Sequence, residues 1–282
     1  MRFGYYPGCS LESSAVEFDL SLRKVAPLLG IELVELPDWN CCGASAAHSI
    51  NHLLSLALPA RNLAIAEGEN LLELMPPCSA CYSNLAKANY ELLGSPGVLR
   101  QINQLIEMNY QGRVRVLSIL ELLNSIGIEK IVSVVKNNLD GKKVACYYGC
   151  LMLRPPKVTG RLDFEQPRGM DEVVRALGGE PVSWGFKTEC CGAGFSMSKT
   201  EVVLKLCHDI LNNARANGAE LIALACPMCM SNLDMRQNAI LKRYGVKESL
   251  PILYITELMG LALGFPPEEL GLNRHYIPVT TI

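Results

Sequence analysis

Short apolar runs alternate along the chain with longer segments in which apolar residues recur at helical spacing. The runs predict strands and the longer segments predict helices. In the first part of the chain, strands are predicted over residues 2–6, 31–36 and 71–75, and helices over residues 13–29, 48–67 and 79–93. Gly30 suits a helix C-cap, and Pro59 predicts an interruption or a kink in the second helix.

The same order of elements returns in the second part of the chain. Strands are predicted over residues 142–148, 180–183 and 220–225, and helices over residues 170–177, 199–217 and 231–244. Residues 113–123 and 250–261 both resemble a strand that enters a helix. We therefore expect an α/β fold with two pseudo-symmetric duplicated halves, each a mainly parallel sheet with flanking helices. A turn at residues 137–141 places the boundary between domains 1–140 and 141–282.

Composition narrows the class of protein. The 282 residues are 49% hydrophobic and 19% charged, which favours packed cores over disorder. A net charge of −2 argues against nucleic acid or an anionic membrane surface as the main partner. The sequence carries no recognisable targeting segment, and its longest apolar stretch near the C-terminus, residues 258–267, is too short for a membrane span. We expect a cytoplasmic protein without direct membrane insertion.

Cysteine is the unusual residue, with twelve in the chain. An intracellular protein keeps its thiols reduced, so these cysteines predict ligands and not disulfides. Ten of them form two quintets of the same order, a single Cys, then Cys-Cys-Gly, then Cys-x-x-Cys. The first quintet is Cys9, Cys41, Cys42, Cys78 and Cys81, and the second is Cys150, Cys190, Cys191, Cys226 and Cys229. Each falls after predicted strands, where parallel sheets collect their ligands.

The residues around the cysteines repeat as well. Tyr5 to Cys9 resembles Tyr147 to Cys150, and Cys81-Tyr-Ser-Asn-Leu resembles Cys229-Met-Ser-Asn-Leu. Each Cys-x-x-Cys pair opens a predicted helix, whose N-terminal N–H groups favour an anionic ligand. Gly43 and Gly192 follow the vicinal pairs and would let the backbone approach a bulky inorganic core, or else simply form turns.

The residues alone leave three kinds of site open. Tetrahedral zinc takes four ligands, and a cubane cluster also takes four thiolates, so five thiols fit neither neatly. Adjacent cysteines reach one cluster most easily when they bind different irons, which favours a larger or opened iron–sulfur cluster over zinc or metal-free dithiols. Cys146 and Cys207 lie outside the quintets and are interpreted as buried small side chains. His48 and His52 are interpreted as a surface or core pair, with a proton donor or a spare ligand as the alternative.

The duplicated pattern resembles the cysteine-rich CCG domain of heterodisulfide reductase, and the chain is similar to the B subunit of that enzyme from end to end. The resemblance implies two noncubane [4Fe-4S] clusters, one on each quintet. It also implies two partners, a cubane-cluster relay subunit of the C type and a flavin-containing subunit of the A type. The implied activity is reduction of a small-molecule disulfide, the coenzyme M–coenzyme B heterodisulfide or a related one.

Two positions depart from the pattern of the methanogen enzymes. Leu151 follows Cys150 where a histidine is expected, and Phe195 follows Gly194 where a further glycine is expected. Both lie beside the second quintet, so the identity of the disulfide stays open. The alternative function is electron transfer between a flavin dehydrogenase, of the succinate, glycolate or lactate type, and a quinone pool. A zinc-bearing scaffold is the third hypothesis.

Overall fold

The computed structural model describes residues 1–44 and 47–279 and contains two four-stranded sheets. Every strand pairing that it contains is parallel. The strand order is β2-β1-β3-β4 in the first sheet and β6-β5-β7-β8 in the second, so the two sheets have the same topology. The strands are β1 Arg2–Tyr5, β2 Glu32–Glu35, β3 Glu73–Met75, β4 Arg115–Val116, β5 Lys143–Cys146, β6 Glu180–Pro181, β7 Leu221–Leu224 and β8 Ile252–Tyr254.

Helices connect the strands and cover the sheets. In the first half they are α1 Gly8–Leu11, α2 Val16–Leu28, α3 Ala47–Ile50, α4 His52–Gly68, α5 Ser79–Gly94, α6 Pro96–Ile106, α7 Ile119–Ile126 and α8 Ile128–Val134. In the second half they are α9 Pro156–Thr159, α10 Gly169–Ala176, α11 Thr200–Ala216, α12 Pro227–Met230, α13 Gln237–Tyr244, α14 Ile255–Ala262 and α15 Pro267–Leu270. A π-helical turn, Ser231–Met235, separates α12 from α13. The α/β fold with two similar halves is confirmed.

The central strands explain why the sheets form where they do. β1 and β5 each lie between two partners, and three of the four residues in each are buried. Gly30 and Gly178 follow α2 and α10 with φ values of 75° and 82°, the left-handed conformation predicted for helix ends. Each turn directs the chain into the next strand, β2 or β6, and so returns it to the sheet.

The predicted interruption of the long helix of the first half at Pro59 is wrong, and a kink at that residue stays a prediction. α4 runs without interruption through Pro59, and the break lies at Asn51, between α3 and α4. The Asn51 side chain accepts hydrogen bonds from the backbone N–H groups of Leu53 at 2.7 Å and Leu54 at 3.3 Å. This N-cap starts a new helix, because it satisfies donors that an unbroken helix would direct to preceding carbonyls.

The two halves exchange helix contacts across their interface. α14, which follows the edge strand of the second sheet, packs on α2 of the first half, and α7 of the first half packs on α10 of the second. Between α2 and α14, the hydroxyls of Ser21 and Thr256 lie 2.7 Å apart and are buried. The rings of Phe18 and Tyr254 stack there with centroids 4.1 Å apart. The boundary between residues 1–140 and 141–282 stays a prediction, since each half shares its helix layer with the other.

Candidate metal centre

The first quintet lies at the carboxyl end of the first sheet. Cys9 is in the first turn of α1, directly beyond β1, and Cys41 and Cys42 lie in the loop that follows β2. Cys78 is the N-cap of α5, and Cys81 lies in the first turn of that helix. The Sγ atoms of Cys42 and Cys81 are 3.3 Å apart, and those of Cys9 and Cys41 are 4.0 Å apart. The five predicted residues are therefore brought to one edge of one sheet.

The second quintet repeats this arrangement. Cys150 follows β5, Cys190 and Cys191 lie in the loop after β6, Cys226 is the N-cap of α12 and Cys229 lies within α12. The Sγ atoms of Cys191 and Cys229 are 3.5 Å apart. This contact is the counterpart of the one between Cys42 and Cys81, since both join the second Cys of a vicinal pair to the last Cys of a quintet.

Each quintet has a buried side and an open side. Three thiols of each set are buried, namely Cys42, Cys78 and Cys81 in the first and Cys191, Cys226 and Cys229 in the second. Cys9, Cys41 and Cys190 are exposed, and Cys150 is half-buried. A cofactor bound to either quintet would thus be enclosed by protein on one side and accessible from the other.

The buried sides of the two quintets meet. The hydroxyl of Ser79, next to Cys78, donates a 2.9 Å hydrogen bond to the carbonyl of Ala225, next to Cys226. The pKa of Cys78 is raised well above its ordinary value, first because it is hydrogen-bonded to Cys226. The pKa of Cys226 is lowered well below its ordinary value, first by Cys229 and then by Cys78. Cys78 and Cys226 therefore lie close enough to interact and bring the two sites next to each other.

Backbone amides support one exposed thiol in each quintet. The Gly43 N–H lies 3.5 Å from Cys41 Sγ, and the Gly192 N–H lies 3.3 Å from Cys190 Sγ. The hydrogen bond with Cys150 and then the amides of Gly192 and Ala193 lower the pKa of Cys190 to about 6. In the first quintet the pKa of Cys42 falls to about 4, first because of its hydrogen bond with Cys41 and then because of that with Cys81. Each quintet thus contains a cysteine that favours the thiolate, which is the metal-binding form, whereas the pKa values of Cys81 and Cys229 are raised well above the ordinary value, first by their hydrogen bonds to Cys42 and Cys191.

Two tyrosines fix the Cys-Cys-Gly loops. Tyr6 donates to the carbonyl of Asn40 at 2.8 Å, and Tyr147 donates to the carbonyl of Glu189 at 2.7 Å, in each case the residue before the vicinal pair. Tyr6 is therefore the structural counterpart of Tyr147. The pairing of Tyr5-Tyr6 with Tyr147-Tyr148 in the sequence was displaced by one residue, because the two segments align without a gap and Pro7 takes the position of Tyr148.

The glycines that precede the first cysteine of each quintet are positions where a side chain would meet a cysteine sulfur. A Cβ at Gly8 would lie 3.1 Å from Cys81 Sγ, and one at Gly149 would lie 3.6 Å from Cys229 Sγ. Both have φ values in the left-handed region, 67° and 63°. Gly43 and Gly192 are also left-handed, but a Cβ on either would meet side chains of α4 or α11. Gly8 and Gly149 were not assigned a role from sequence, although each stands directly before a Cys.

Two asparagines were also missed, although both belong to the repeated motif. Asn84 Nδ2 donates to the Cys42 carbonyl at 3.0 Å. Asn232 Nδ2 donates to the Cys191 carbonyl at 3.2 Å and lies 3.6 Å from Cys191 Sγ. The signal that could have found them was the repeated Ser-Asn-Leu after each Cys-x-x-Cys, which places an amide one helical turn from the last cysteine.

The remaining sequence candidates lie away from the quintets or only support them. Cys146 is fully buried within β5. Cys207 is fully buried in α11 and donates through its thiol to the Cys191 carbonyl at 3.4 Å. His48 is exposed on α3, and His52 Nε2 lies 2.7 Å from Glu91 Oε1 at the surface. The interpretation of the histidines as surface residues agrees with these positions.

The donor set fits an iron–sulfur cluster. Within residues 1–44 and 47–279, no three His, Cys, Asp or Glu side chains converge on a single metal-ion position. A cluster distributes its thiolate ligands over several irons, so its ligands need not share one ion. Five thiols around a sheet edge, with amide donors aimed at sulfur, match the hydrogen bonds to sulfur that tune such clusters.

No helix in the described ranges is long and apolar enough to cross a membrane. In fold, the chain is similar to a hypothetical protein from Helicobacter pylori with a TM-score of 0.81 and 15% identity. That alignment covers all of this chain but 53% of the other, so the chain spans about half of that protein. The likeness supports the fold alone.

Sequence comparisons identify the family. The model described as "Cysteine-rich domain" (CCG) matches residues 3–86 and again residues 144–234, one match per quintet. The 8-methylmenaquinol:fumarate reductase membrane anchor subunit of Wolinella succinogenes is 38% identical over 100% of this chain and 99% of its own. The B subunit of the ferredoxin/F(420)H(2)-dependent CoB-CoM heterodisulfide reductase of Methanosarcina acetivorans is 32% identical over 98% and 94%. The chain therefore belongs to the cysteine-rich CCG-domain family and is a relative of the heterodisulfide reductase B subunit.

Proposed function

We propose that each quintet holds one noncubane [4Fe-4S] cluster and that the chain is the catalytic iron–sulfur subunit of a heterodisulfide reductase-type complex. The observation that carries this proposal is the equal construction of the two sites. Each has five thiols, a buried Sγ–Sγ contact, an amide donor at an exposed thiol, and a tyrosine and an asparagine that hold the vicinal-Cys loop. A degenerate relay site would not need all of these.

The proposed reaction takes one disulfide, two electrons and two protons to two thiols. The clusters, when bound, supply one-electron transfer. The chain's own residues hold them at adjacent positions, because the segments that carry Cys78 and Cys226 are joined by the hydrogen bond from Ser79 to the Ala225 carbonyl. The exposed thiols of Cys9 and Cys41 and the accessible pair Cys150 and Cys190 mark the open sides from which a disulfide reaches the sites. We infer that the disulfide binds across the open sides of the two sites and offers one sulfur to each.

The partners follow from the same proposal. The motifs of the chain account for the clusters, and its sequence carries no flavin-, nicotinamide- or ferredoxin-type motif. We infer that electrons arrive from a cubane-cluster relay subunit of the C type and a flavin-containing subunit of the A type. The coenzyme M–coenzyme B heterodisulfide, or a related disulfide, is the proposed substrate, as the names of the Methanosarcina relatives suggest.

A second candidate function has its own support. The Wolinella relative, matched over the full length of both chains, is named as a subunit of a quinol:fumarate reductase. By analogy, the chain would transfer electrons between a quinol or quinone and a flavin dehydrogenase of the succinate, glycolate or lactate type. The same ten thiols would hold the clusters, so the two functions differ in the substrate that reaches the open side.

The test is anaerobic preparation followed by iron, sulfide and zinc analysis, and then by two activity assays. We expect about eight irons per chain and a brown protein. Reduced viologen then serves as donor with a small disulfide in one assay, and a menaquinone analogue replaces the disulfide in the other. Turnover of the disulfide supports the reductase, and turnover of the quinone alone supports the second function. Stoichiometric zinc without iron overturns both.

A further inference from the structure

A cluster of buried acids and one histidine lies where the second half of the molecule meets α2 of the first half, outside the quintets. The Nε2 atom of His275 is 2.8 Å from Glu257 Oε1, and both side chains are almost completely buried, with 1% and 0% of their surface exposed. The carboxylates of Glu17 and Asp234 are also buried nearby. Asp234 accepts hydrogen bonds from the backbone N–H groups of Tyr276 and Ile277 at 2.8 and 3.0 Å.

The charge of this cluster is unusual for a protein interior. Buried carboxylates are rare unless they are paired, because burial disfavours the charged form. Burial accordingly raises the pKa values of Glu257, Glu17 and Asp234. The pKa of His275 is raised to about 8, since its hydrogen bond to Glu257 and the nearby carboxylates outweigh its own burial. The pair therefore exchanges a proton close to neutral pH.

The cluster adjoins the second quintet. β8 runs parallel to β7 with Tyr254 opposite Leu224, and Cys226 is two residues beyond Leu224. Adjacent strands lie about 4.8 Å apart. Glu257 is in the first turn after β8, and its Oε2 accepts the Tyr254 backbone N–H at 2.8 Å. The Glu257 carboxylate and the Cys226 thiol are thus held at the ends of neighbouring strands.

Tyr254 connects the Glu257–His275 cluster with the cysteines of the quintets. Its ring is fully buried, and its hydroxyl has no hydrogen-bond partner among the atoms of residues 1–44 and 47–279. The carboxylates of Glu17 and Glu257 and the thiols of Cys226 and Cys78 are all close enough to affect this hydroxyl electrostatically. A buried hydroxyl of this kind can donate a hydrogen bond either to the carboxylates or to the thiols.

We propose that the Glu257–His275 pair is a redox-linked proton acceptor, which binds a proton when an electron arrives at the centre beside Cys226. The inference rests on the proposed cluster in the second quintet, but not on which substrate the chain reduces. The electron comes from a one-electron donor such as reduced viologen, and the proton comes from solvent, by way of Glu17, which is 6% exposed. No covalent bond breaks other than the one to the transferred proton.

The driving force is electrostatic. One extra negative charge at roughly 10 Å, in a medium with an effective dielectric constant of about 20, raises the pKa of a neighbouring group by about one unit. The charged groups that face the pair are Glu17 on α2, Asp234 in the π-helical turn and Arg274 in the 3-10 turn of residues 272–274. The Lys24–Glu269 pair between α2 and α15 is solvent-exposed and screened.

The first half supplies a matched control. Glu121 occupies the position equivalent to Glu257, in the first turn of the helix after the edge strand, and its Oε2 accepts the backbone N–H of Ser118 at 2.8 Å. Glu121 is half-buried, however, and its Oε2 also accepts the Ser118 hydroxyl. Substitution of either glutamate disturbs the same helix cap, but only Glu257 is paired to a buried histidine.

The experiment is a redox titration of the iron-loaded protein, monitored by electron paramagnetic resonance, from pH 6 to 10. We expect the midpoint potential of one centre to fall with rising pH once the pH passes about 8, the pKa of His275 in the oxidised protein. His275→Gln and Glu257→Gln should make that potential nearly independent of pH, whereas Glu121→Gln should leave the dependence unchanged. Redox-induced infrared difference spectra should lose a carboxyl or imidazole band in the first two variants only.

The outcomes separate this inference from the proposed function. A protein without iron contradicts the proposed function. A protein with iron whose potentials do not change with pH, or whose pH dependence survives in both His275→Gln and Glu257→Gln, overturns the proton acceptor while the clusters stand. Iron content and circular dichroism of each variant show that it is folded. If His275→Gln loses its fold, Glu257→Gln decides alone, because glutamine can still accept the Tyr254 N–H.

Discussion

The two halves carry the same quintet on different electrostatic supports. In the first half, Tyr5 donates to Asp19, which Arg23 Nε contacts at 2.8 Å, and the Arg23 side chain is 42% exposed. In the second half, Tyr148 donates to Asp171 at 2.5 Å, and Lys187 Nζ lies 3.1 Å from the same carboxylate, with both ionic side chains over 90% buried. Each half therefore has a Tyr–Asp–cation group, with its cation largely at the surface in the first half and in the interior in the second.

The buried version has a structural consequence for the second site. The Lys187 carbonyl accepts the backbone N–H groups of Tyr148 and Gly149 at 2.9 and 3.1 Å, and Lys187 Nζ also donates to the Pro167 carbonyl. Lys187 thereby ties the turn before Cys150 to the segment before Cys190. A buried ion pair adds little net stability over apolar packing, but removal of one partner leaves an uncompensated charge. The second site therefore depends more strongly on the Lys187 side chain than the first site depends on the Arg23 side chain.

The largest expected difference concerns the quintets themselves. Cys42→Ala and Cys191→Ala should each abolish disulfide reduction with reduced viologen, since the proposed reaction uses both sites. Each variant should keep the absorption and paramagnetic signals of its intact half. If one variant retains near-normal turnover, the two sites are a relay and a terminus, and the symmetric mechanism is wrong.

The second expected difference concerns the ionic supports. Lys187→Met should lower the free energy of unfolding by about 3–5 kcal/mol, because Asp171 stays buried without its partner. Arg23→Met should cost about 0.2–1 kcal/mol, since its ion pairs are exposed. Anaerobic denaturant unfolding of both variants beside the parent measures the contrast. Equal losses would show that burial does not distinguish the two supports.

A third difference is a dependence of stability on pH. The folded-state pKa of His275, about 8, exceeds the value of about 6.5 in an unfolded chain. Its contribution to stability, about 2 kcal/mol, is therefore fully present below pH 6.5 and is lost as pH rises through 8. Unfolding free energies at pH 6 and pH 9 should differ in the parent protein by about this amount more than in His275→Gln. The control variant Glu121→Gln should keep the full pH dependence of the parent. If the unfolding free energy of the parent depends on pH no more than that of His275→Gln, His275 does not make this contribution to stability.

The smallest expected effect is on iron content. Cys146→Ala and Cys207→Ala remove thiols outside the quintets, so each variant should bind as much iron as the parent. Elemental analysis of anaerobic preparations measures this. Loss of about half the iron from either variant would mean that the ligand set of the second site has been assigned wrongly.

The repeated cysteine motifs predicted both sites, but the sequence reasoning missed supporting residues, both repeated ones such as Asn84 and Asn232 and ones that occur in one half alone. The spacing of the cysteines located both sites at strand ends, because the carboxyl ends of parallel strands meet at one edge. The buried Lys187–Asp171 pair and the Glu257–His275 pair join residues 16 and 18 positions apart on different elements, and no local pattern encodes such contacts. Sequence similarity alone matched Tyr5-Tyr6 with Tyr147-Tyr148, because both segments contain two adjacent tyrosines. The hydrogen bonds of Tyr6 and Tyr147 to the loops before the vicinal cysteines show instead that these two tyrosines are equivalent.

The exchange of helices between the halves bears on how such a chain arose. α7 lies on α10 of the opposite half, and α14 lies on α2, so each half lends the other the helix that follows its edge strand. In a chain with one quintet and this architecture, the helix equivalent to α2 or α10 would have to be covered by the helix that follows the edge strand of a second copy. Reciprocal contacts of that kind are those of a domain-swapped, two-fold symmetric homodimer. The present chain thus has the contacts expected of such a dimer whose two subunits are joined in one chain.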